Sequence, residues 1–443
     1  MFSNKDLRIL IVPLIIEQIL AVAVGMADTV MVSSVGEAAI SGVSLVDTFA
    51  ILLIGLFAAL ATGGSVVAAQ YLGGENREKA NRASKQLLLL VTVLSTFLAI
   101  ISLVANKGIL HLIYGDISSD VMENARLYFY ITALSYPFLA IYNGCAALFR
   151  AMGNSQVSMR TSIVMNGINI IGNAICLYGF KMGVEGVAIP TLISRVVAAV
   201  ITMVLIKNHQ NPIFIDRFLK IKFDISMIKR IAGIGIPNGI ENSVFQIGKI
   251  LVQGVVASFG TAAISANAVA SNISRISTIP GGAIGLATIT IVGRCIGARE
   301  FDEEKKNIRK LMILTYIITF FLNVAIVVFI NPTLSIFKLS PQTYELAKQL
   351  SILHSAFAIL IWPSSFTLPN ALRAANDARF TMGVSMLSMW LFRIILSYVF
   401  AIYFNMGVIG VWIAMIADWL FRSICFISRI LTGKWLKYAY KSA

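Results

Sequence analysis

Long apolar stretches alternate with short polar segments from one end of the chain to the other. Each stretch reaches or exceeds the roughly 20 residues that an α-helix needs to cross a bilayer. The pattern predicts twelve helices, six in each half. They are expected at residues 7–33, 39–72, 86–106, 119–149, 156–180 and 184–206, and again at 231–258, 262–294, 309–331, 343–372, 379–404 and 408–431. The prediction is an all-α polytopic membrane protein.

The second half of the chain repeats the first half at a fixed offset. When the two halves are aligned, Pro13 falls on Pro237, and Glu17 falls on Glu241. Because each half holds an even number of helices, both halves enter the membrane from the same side and the repeat is parallel. A duplicated six-helix unit in a very apolar chain is typical of secondary transporters, whose substrate passes between two lobes.

Composition and charge agree with this interpretation. The chain is 58% hydrophobic and 13% charged, whereas a soluble domain carries about 25% charged residues. The net charge of +15 does not indicate nucleic-acid binding, because 26 of the 36 Lys and Arg lie in or close to the termini and the loops after even-numbered helices, against three in the other loops. This bias predicts a multi-pass cell-membrane protein with both termini in the cytoplasm. We expect an N-lobe at 1–206, a cytoplasmic linker at 207–230 and a C-lobe at 231–443.

Acidic side chains inside membrane helices are costly and therefore mark candidate sites. Five stand inside the predicted helices: Glu17, Asp28, Asp47, Glu241 and Asp418. A buried carboxylate can carry a proton or, when ionised, hold Na⁺ or a cationic substrate; neutralisation by a nearby base is the alternative. Glu17 and Asp28 are separated by about three helical turns, so both can face one cavity. Asp418 lies four residues before Arg422, a spacing that favours a structural pair.

Other polar residues could also line a transport path. Asn169 and Asn173 lie one turn apart on predicted helix 5, and their amides could bind Na⁺, hold a protonated carboxylate or simply join helices. Lys249, Gln253 and His354, together with Asp47, are candidate substrate contacts. The sequence has no phosphate-binding loop and no metal motif, and its four cysteines are dispersed. We therefore predict a transporter, not an enzyme, that needs no cofactor beyond H⁺ or Na⁺.

Several segments resemble the multidrug and toxic compound extrusion (MATE) transporters: Pro13 with Gly25–Thr29, Gln70–Gly73, Ala151–Asn154 and Gly235–Pro237. The resemblance covers essentially the whole chain. It implies a V-shaped pair of six-helix lobes that exports organic cations or other amphipathic compounds in exchange for H⁺ or Na⁺. It also implies a cation site at Asp28, Asn169 and Asn173, where an amide at 173 replaces the family's carboxylate. The family's helix 7 glutamate is approximately matched by Glu241.

Two classes of function remain open. The first is a cation-coupled antiporter for small organic substrates, in which Glu17, Asp28 and Glu241 face a central cavity. The amide at 173 favours H⁺ over Na⁺, with Glu17 and Asp28 as carriers. The second is a flippase for a lipid-linked sugar or other amphiphile, which would need a basic cavity formed by helix residues such as Lys249 and Arg393. For either function we expect a monomer that contacts membrane lipids.

Overall fold

The computed structural model describes residues 2–115, 117–216, 223–337 and 339–442. Part of the predicted linker at 207–230 lies outside the described residues. Within the described ranges, all regular structure is helical. The all-α prediction is therefore confirmed.

The described residues of the first half contain eight α-helices. They are α1 (Asn4–Ser33), α2 (Glu37–Gly73), α3 (Arg77–Val104), α4 (Asn106–Tyr114), α5 (Ser119–Leu134), α6 (Tyr136–Ala151), α7 (Ser155–Ala174) and α8 (Glu185–Leu205). A capping box starts α1, because the Ser3 hydroxyl accepts the amide hydrogen of Asp6 while the Asp6 carboxylate accepts that of Ser3. Helix α7 continues into a π-helical turn at Ile175–Gly179.

The second half contains the remaining helices. They are α9 (Ile225–Ala257), α10 (Thr261–Gly297), α11 (Phe301–Val328), α12 (Ile330–Ser335), α13 (Pro341–Trp362), α14 (Pro369–Ala374), α15 (Ala378–Ser388), α16 (Leu396–Tyr398), α17 (Gly407–Leu431) and α18 (Leu436–Ser442). Three π-helical segments lie between α13 and α17, at Pro363–Thr367, Met389–Ile395 and Val399–Tyr403. Pro363 has no amide hydrogen to donate, so the regular α-helical bonding pattern cannot pass through it.

Most of the helices meet the physical requirements of membrane spans. Ten helical stretches of the described chain are long and apolar enough to cross a bilayer, and α5 with α6, bent by 47° at Ser135, makes an eleventh. Helix α9 is also long, but it does not meet the same measure of apolarity. Its middle carries Asn238, Glu241, Asn242 and Gln246. The predicted helix 7 is therefore present, with a more polar middle than a standard span.

The repeat is visible in the longest helix of each half, α2 and α10. At the repeat offset, Glu37 at the start of α2 corresponds to Thr261 at the start of α10, and Gly73 at its end corresponds to Gly297. The buried faces of both helices are rich in Ala, Gly and Ser, which lets neighbouring helices approach closely. In the first half α2 packs against α3, α5 and α6, and in the second half α10 packs against α11 and α13. The two halves therefore build their cores around equivalent helices.

Contacts divide the described chain into an N-terminal unit, Ser3–Gly239, and a C-terminal unit, Ile240–Ala443 with the first two residues. The boundary between these compact units lies inside α9. The division into an N-lobe, a linker at 207–230 and a C-lobe stays a prediction. Glycines explain why the start of α9 belongs to the N-terminal unit. A Cβ atom on Gly63 of α2 would lie 2.5 Å from the carbonyl oxygen of Ile231, and one on Gly235 would lie 3.0 Å from Leu60.

This close approach predicts that Gly63→Ala destabilises the N-terminal unit. The added methyl group would meet backbone atoms, which cannot move aside as a side chain can; such overpacking typically costs about 1–3 kcal/mol. Gly233→Ala is the matched control, since a Cβ atom there has open space around it. Thermal unfolding of the two purified variants in detergent measures the difference. Equal melting temperatures would contradict the packing argument.

Candidate functional site

Asp28 belongs to a polar cluster that joins α1 to α7 and α8. Asn173 Nδ2 donates a hydrogen bond to Asp28 Oδ1 at 2.8 Å and lies 3.4 Å from Asn169 Oδ1. Asn169 in turn donates to Thr191 Oγ1 at 2.9 Å. Asn173 is fully buried, and its Oδ1 has no hydrogen-bond partner among the described residues. The cluster therefore combines one carboxylate, two amides and an amide oxygen still able to accept a hydrogen bond or bind a cation.

A second carboxylate lies in electrostatic reach of this cluster. Asp47 on α2 accepts a hydrogen bond from Tyr128 Oη at 3.2 Å. Asp28 interacts electrostatically with Asp47 and with Arg195, whose Nη1 donates to Ser135 Oγ at 2.7 Å. The single guanidinium group of Arg195 therefore acts electrostatically on the carboxylates of both Asp28 and Asp47. This region of the N-terminal unit carries an acidic excess, as a site for H⁺, Na⁺ or another cation requires.

Glu17 lies beside an arginine of the same unit. Ser158 Oγ donates to Glu17 Oε2 at 2.6 Å, and Arg150 Nη1 lies 3.8 Å from Glu17 Oε1. Arg150 Nη1 also donates to Ser158 Oγ at 3.2 Å. Glu17 therefore contacts this Arg–Ser pair, whereas Asp28 contacts Asn173. Its proposed role as a second carrier stays a prediction.

Glu241 has the same kind of partner in the C-terminal unit. Arg373 Nη2 lies 2.8 Å from Glu241 Oε1, and Ser385 Oγ donates to the same oxygen at 2.6 Å. The Glu241 side chain is only 8% exposed and that of Arg373 10%. Glu241 Oε2 has no partner among the described residues. The geometry is that of a buried ion pair that still leaves one carboxylate oxygen for another ligand.

Asp418 is shared by two arginines. Arg422 Nε lies 2.9 Å from Asp418 Oδ1, which is the i, i+4 pair that the spacing predicts. Arg393 Nη1 lies 3.4 Å from Asp418 Oδ2, and Ser388 Oγ donates a hydrogen bond to Asp418 Oδ1. Asp418 is fully buried. One carboxylate cannot neutralise two guanidinium groups, so this part of the C-terminal unit keeps a positive excess.

The three second-half residues predicted to contact substrate line one cavity. It has a volume of about 430 Å³, and Lys249, Gln253 and His354 are all in its wall. Arg275 and Arg393 lie in the same wall. The fourth predicted contact, Asp47, lies in the N-terminal unit beside Tyr128.

The arginines beside Glu17 and Glu241 are candidate site residues that the sequence analysis did not identify. Arg150 and Arg373 each lie several helices beyond their glutamate in the chain, so no helical spacing could reveal the contact. A signal was nevertheless present, because the repeat aligns Glu17 with Glu241 and, after a slip of a single position, Arg150 with Arg373. An acid and a base that are duplicated together indicate a pair that is also duplicated.

Comparisons with known proteins agree with the duplicated organisation of the chain. The MatE family model matches residues 13–175 and again residues 237–399. The two matches begin and end at equivalent positions of the internal repeat, since the first starts at Pro13 and the second at Pro237. The chain is 28% identical to "Uncharacterized transporter YisQ" of Bacillus subtilis, over 96% of this chain and 93% of that protein. It is also 28% identical to "Probable multidrug resistance protein NorM" of Thermotoga maritima, over 98% and 94% respectively.

The fold is that of solved MATE structures. The structure described as "Crystal structure of MATE in the bent conformation" superposes with a TM-score of 0.90 and covers 99% of this chain and 97% of that one, at 19% sequence identity. Two matched repeats, full-length relatives and the same fold agree on one assignment. The chain belongs to the MATE family of membrane transporters.

Proposed function

We propose that this MATE transporter is an H⁺-coupled antiporter in which Asp28 carries the proton. The observation that supports the proposal most directly is the contact of Asp28 with the amide of Asn173. An amide can donate to the ionised carboxylate and can equally accept from the protonated one by turning its oxygen toward it. The cluster therefore suits both protonation states of Asp28, which a carrier must adopt in turn.

Na⁺ is the less favourable coupling ion for this cluster. A site for a hard cation is built from several oxygen ligands, with net negative charge close to the ion. Asn173 supplies an amide where the resemblance implies a carboxylate, and Glu17 contacts Ser158 and Arg150 instead. Asp47 brings a second negative charge, but Arg195 acts on both aspartates. These features favour a proton over Na⁺.

The exported compounds are proposed to be amphipathic organic molecules. A relative of similar length carries the name multidrug resistance protein, and the cavity with Lys249 and His354 has aromatic walls. The Lys and Arg distribution supports cytoplasmic termini in the cell membrane. Export would then release the substrate on the side of the membrane opposite to the termini.

Transport by purified protein in liposomes tests the coupling ion. We expect ethidium or carboxyfluorescein to move against its gradient when only a pH gradient is imposed, with Na⁺ absent from both sides. Protein-free liposomes give the background, and proteoliposomes with a Na⁺ gradient at equal pH give the comparison. Strict dependence on the Na⁺ gradient, without response to pH alone, would overturn the proposal and favour a Na⁺ site that includes Asp28 and Asn169.

A flippase for a lipid-linked sugar or other amphiphile is the second candidate. It is favoured by one observation, the basic residues Lys249, Arg275 and Arg393 in the cavity wall. A flippase would equilibrate a fluorescent lipid-linked sugar across the liposome membrane in the absence of any ion gradient. An antiporter would move its substrate only when a gradient is present.

A further inference from the structure

The cavity of the C-terminal unit is strongly one-sided in charge. Lys249, Arg275 and Arg393 line it, and no aspartate or glutamate is among the described residues of its wall. Lys249 interacts electrostatically with both Arg393 and Arg275, and interactions between like charges are repulsive. Positive charges in a membrane helix are costly unless they face water, a partner or a ligand. A counter-charge from outside the chain would relieve this repulsion.

The chain itself supplies little of that counter-charge. Asp418 is the carboxylate paired with Arg393, and Arg422 contacts the same carboxylate at a shorter distance. Within the described ranges, neither Lys249 nor Arg275 forms an ion pair; the Lys249 ammonium lies 4.7 Å above the ring of Phe245. Such cation–π contacts compensate a charge only in part. Two or more positive charges therefore remain available to a ligand.

Buried polar atoms in the same wall also lack partners. His354 Nδ1, Ser274 Oγ and Trp419 Nε1 form no hydrogen bond with the described residues. The three residues are 3%, 8% and 3% exposed, and all line the cavity. A buried donor without an acceptor is costly, and an indole N–H can only donate. The missing acceptors would be supplied by a ligand that carries oxygen atoms.

Aromatic rings form the apolar part of the wall. The rings of Trp362 and Phe366 are stacked with centroids 5.2 Å apart. Trp419 packs edge-on against Phe366 at 6.0 Å and against His354 at 5.2 Å. Flat surfaces of this kind accept a planar apolar body by stacking or edge contact. A ligand that fits both the basic part and the aromatic part of the wall has an apolar or aromatic body and an anionic head.

The internal repeat shows how this polarity differs from that of the first half. At the repeat offset, Asp28 corresponds to Val252 and Asp47 to Ser271. Val252 and Ser271 both line the cavity. The second half therefore has neutral residues at the two positions where the first half has carboxylates, and it carries bases nearby.

We propose that the cavity binds an organic anion, whose carboxylate, sulfonate or phosphate group contacts Lys249 and Arg275 while its apolar body lies against Trp362 and Phe366. This inference deepens the proposed transport function, on which it rests, by naming the class of substrate. Of the organic cations and other amphipathic compounds that the family resemblance implies, it selects amphipathic anions. The anion can be a soluble metabolite or drug, or the head group of an anionic lipid, because the recognition chemistry is the same.

Calorimetric titration of the full-length protein in phosphatidylcholine nanodiscs tests the charge preference directly. The probes are naphthalene-2-sulfonate and trimethyl(2-naphthyl)ammonium, which share an aromatic body and differ in the sign of the charge. We expect the sulfonate to bind at least about tenfold more tightly, the least that a charged hydrogen bond contributes. Equal affinity, or tighter binding of the ammonium probe, would overturn the proposal.

Three variants locate the binding site. Lys249→Gln and Arg275→Gln should each weaken sulfonate binding about tenfold, since each removes one charged contact. Lys348→Gln is the matched control, because Lys348 lies in α13 of the same unit but outside the cavity wall. An equal loss in all three variants would mean that only the net charge matters, and would contradict the proposed site. Lys249→Glu should shift the preference toward the ammonium probe.

Nanodiscs with added phosphatidylglycerol distinguish the two sources of the anion. If phosphatidylglycerol competes with the sulfonate, a lipid head group is an occupant of the site. If the sulfonate affinity is unchanged, the natural ligand is a soluble anion. Both results require that the anion site exists. The outcome is independent of the coupling ion, because binding is measured without a gradient. Anion binding without pH-driven transport would refute only the proposed coupling, and pH-driven transport with preferential cation binding would refute only the anion site.

Discussion

Replacement of Asp28 by asparagine is expected to abolish efflux driven by a pH gradient while the protein remains folded. The substitution keeps the size of the side chain and its hydrogen bond with Asn173, but it removes the group that exchanges a proton. When two ligands are coupled, here the proton and the substrate, binding of one typically changes the affinity for the other by about 5- to 150-fold. In the variant the pH should no longer change the substrate affinity in this way. Accumulation of substrate against its gradient should therefore fall to the level of protein-free liposomes.

Two measurements separate a loss of coupling from a loss of structure. Asp302→Asn is the matched control, because Asp302 is an exposed residue in the first turn of α11 and the same atoms are exchanged. Asp28→Asn should also keep the affinity of the C-terminal cavity for naphthalene-2-sulfonate, since all the described residues that line that cavity belong to the other unit. Normal efflux by a well-expressed Asp28→Asn variant would remove Asp28 from the proposed mechanism.

The fold could be predicted because it depends on patterns that are local or repeated. Apolar runs long enough to span a bilayer predict helices irrespective of their partners, and the correspondence of Pro13 with Pro237 links the two halves. The boundary between the compact units has no counterpart in the apolar pattern. It depends on the close contact of Gly63 with Ile231 and Gly235, and such helix contacts are not encoded by charge or apolarity.

The site was predicted to a smaller extent. Asn169 and Asn173 share a helix face, and the structure places Asn173 against Asp28 and Asn169 against Asn173. The arginine beside each repeated glutamate could not be derived from spacing, because distant segments meet only in the folded chain. The unpartnered atoms of His354 and Trp419 also become visible only when burial is known. Sequence therefore indicated which groups were unusual, and the structure identified their neighbours.

The second large effect is expected at the buried pair of Glu241 and Arg373. Arg373→Gln removes the guanidinium that lies 2.8 Å from Glu241, so that the buried carboxylate loses its contacting counter-charge and keeps only the electrostatic influence of Arg422 among the described arginines. Breaking a buried ion pair in this way costs about 3–5 kcal/mol. A lower melting temperature of the purified variant in detergent is the expected result. Glu17→Gln should cost less, because Glu17 lies 3.8 Å from its arginine and is more exposed.

A double-mutant cycle decides whether Glu241 acts as a structural partner or as an ion carrier. If the pair is structural, Glu241→Gln with Arg373→Gln should be less destabilised than the sum of the two single variants, because the double variant leaves no isolated charge. If Glu241 carries an ion through its unpartnered Oε2, Glu241→Gln should instead keep the melting temperature and lose pH-driven efflux. Additive losses of stability would contradict the ion pair, and retained stability with lost coupling would make Glu241 the second carrier in place of Glu17.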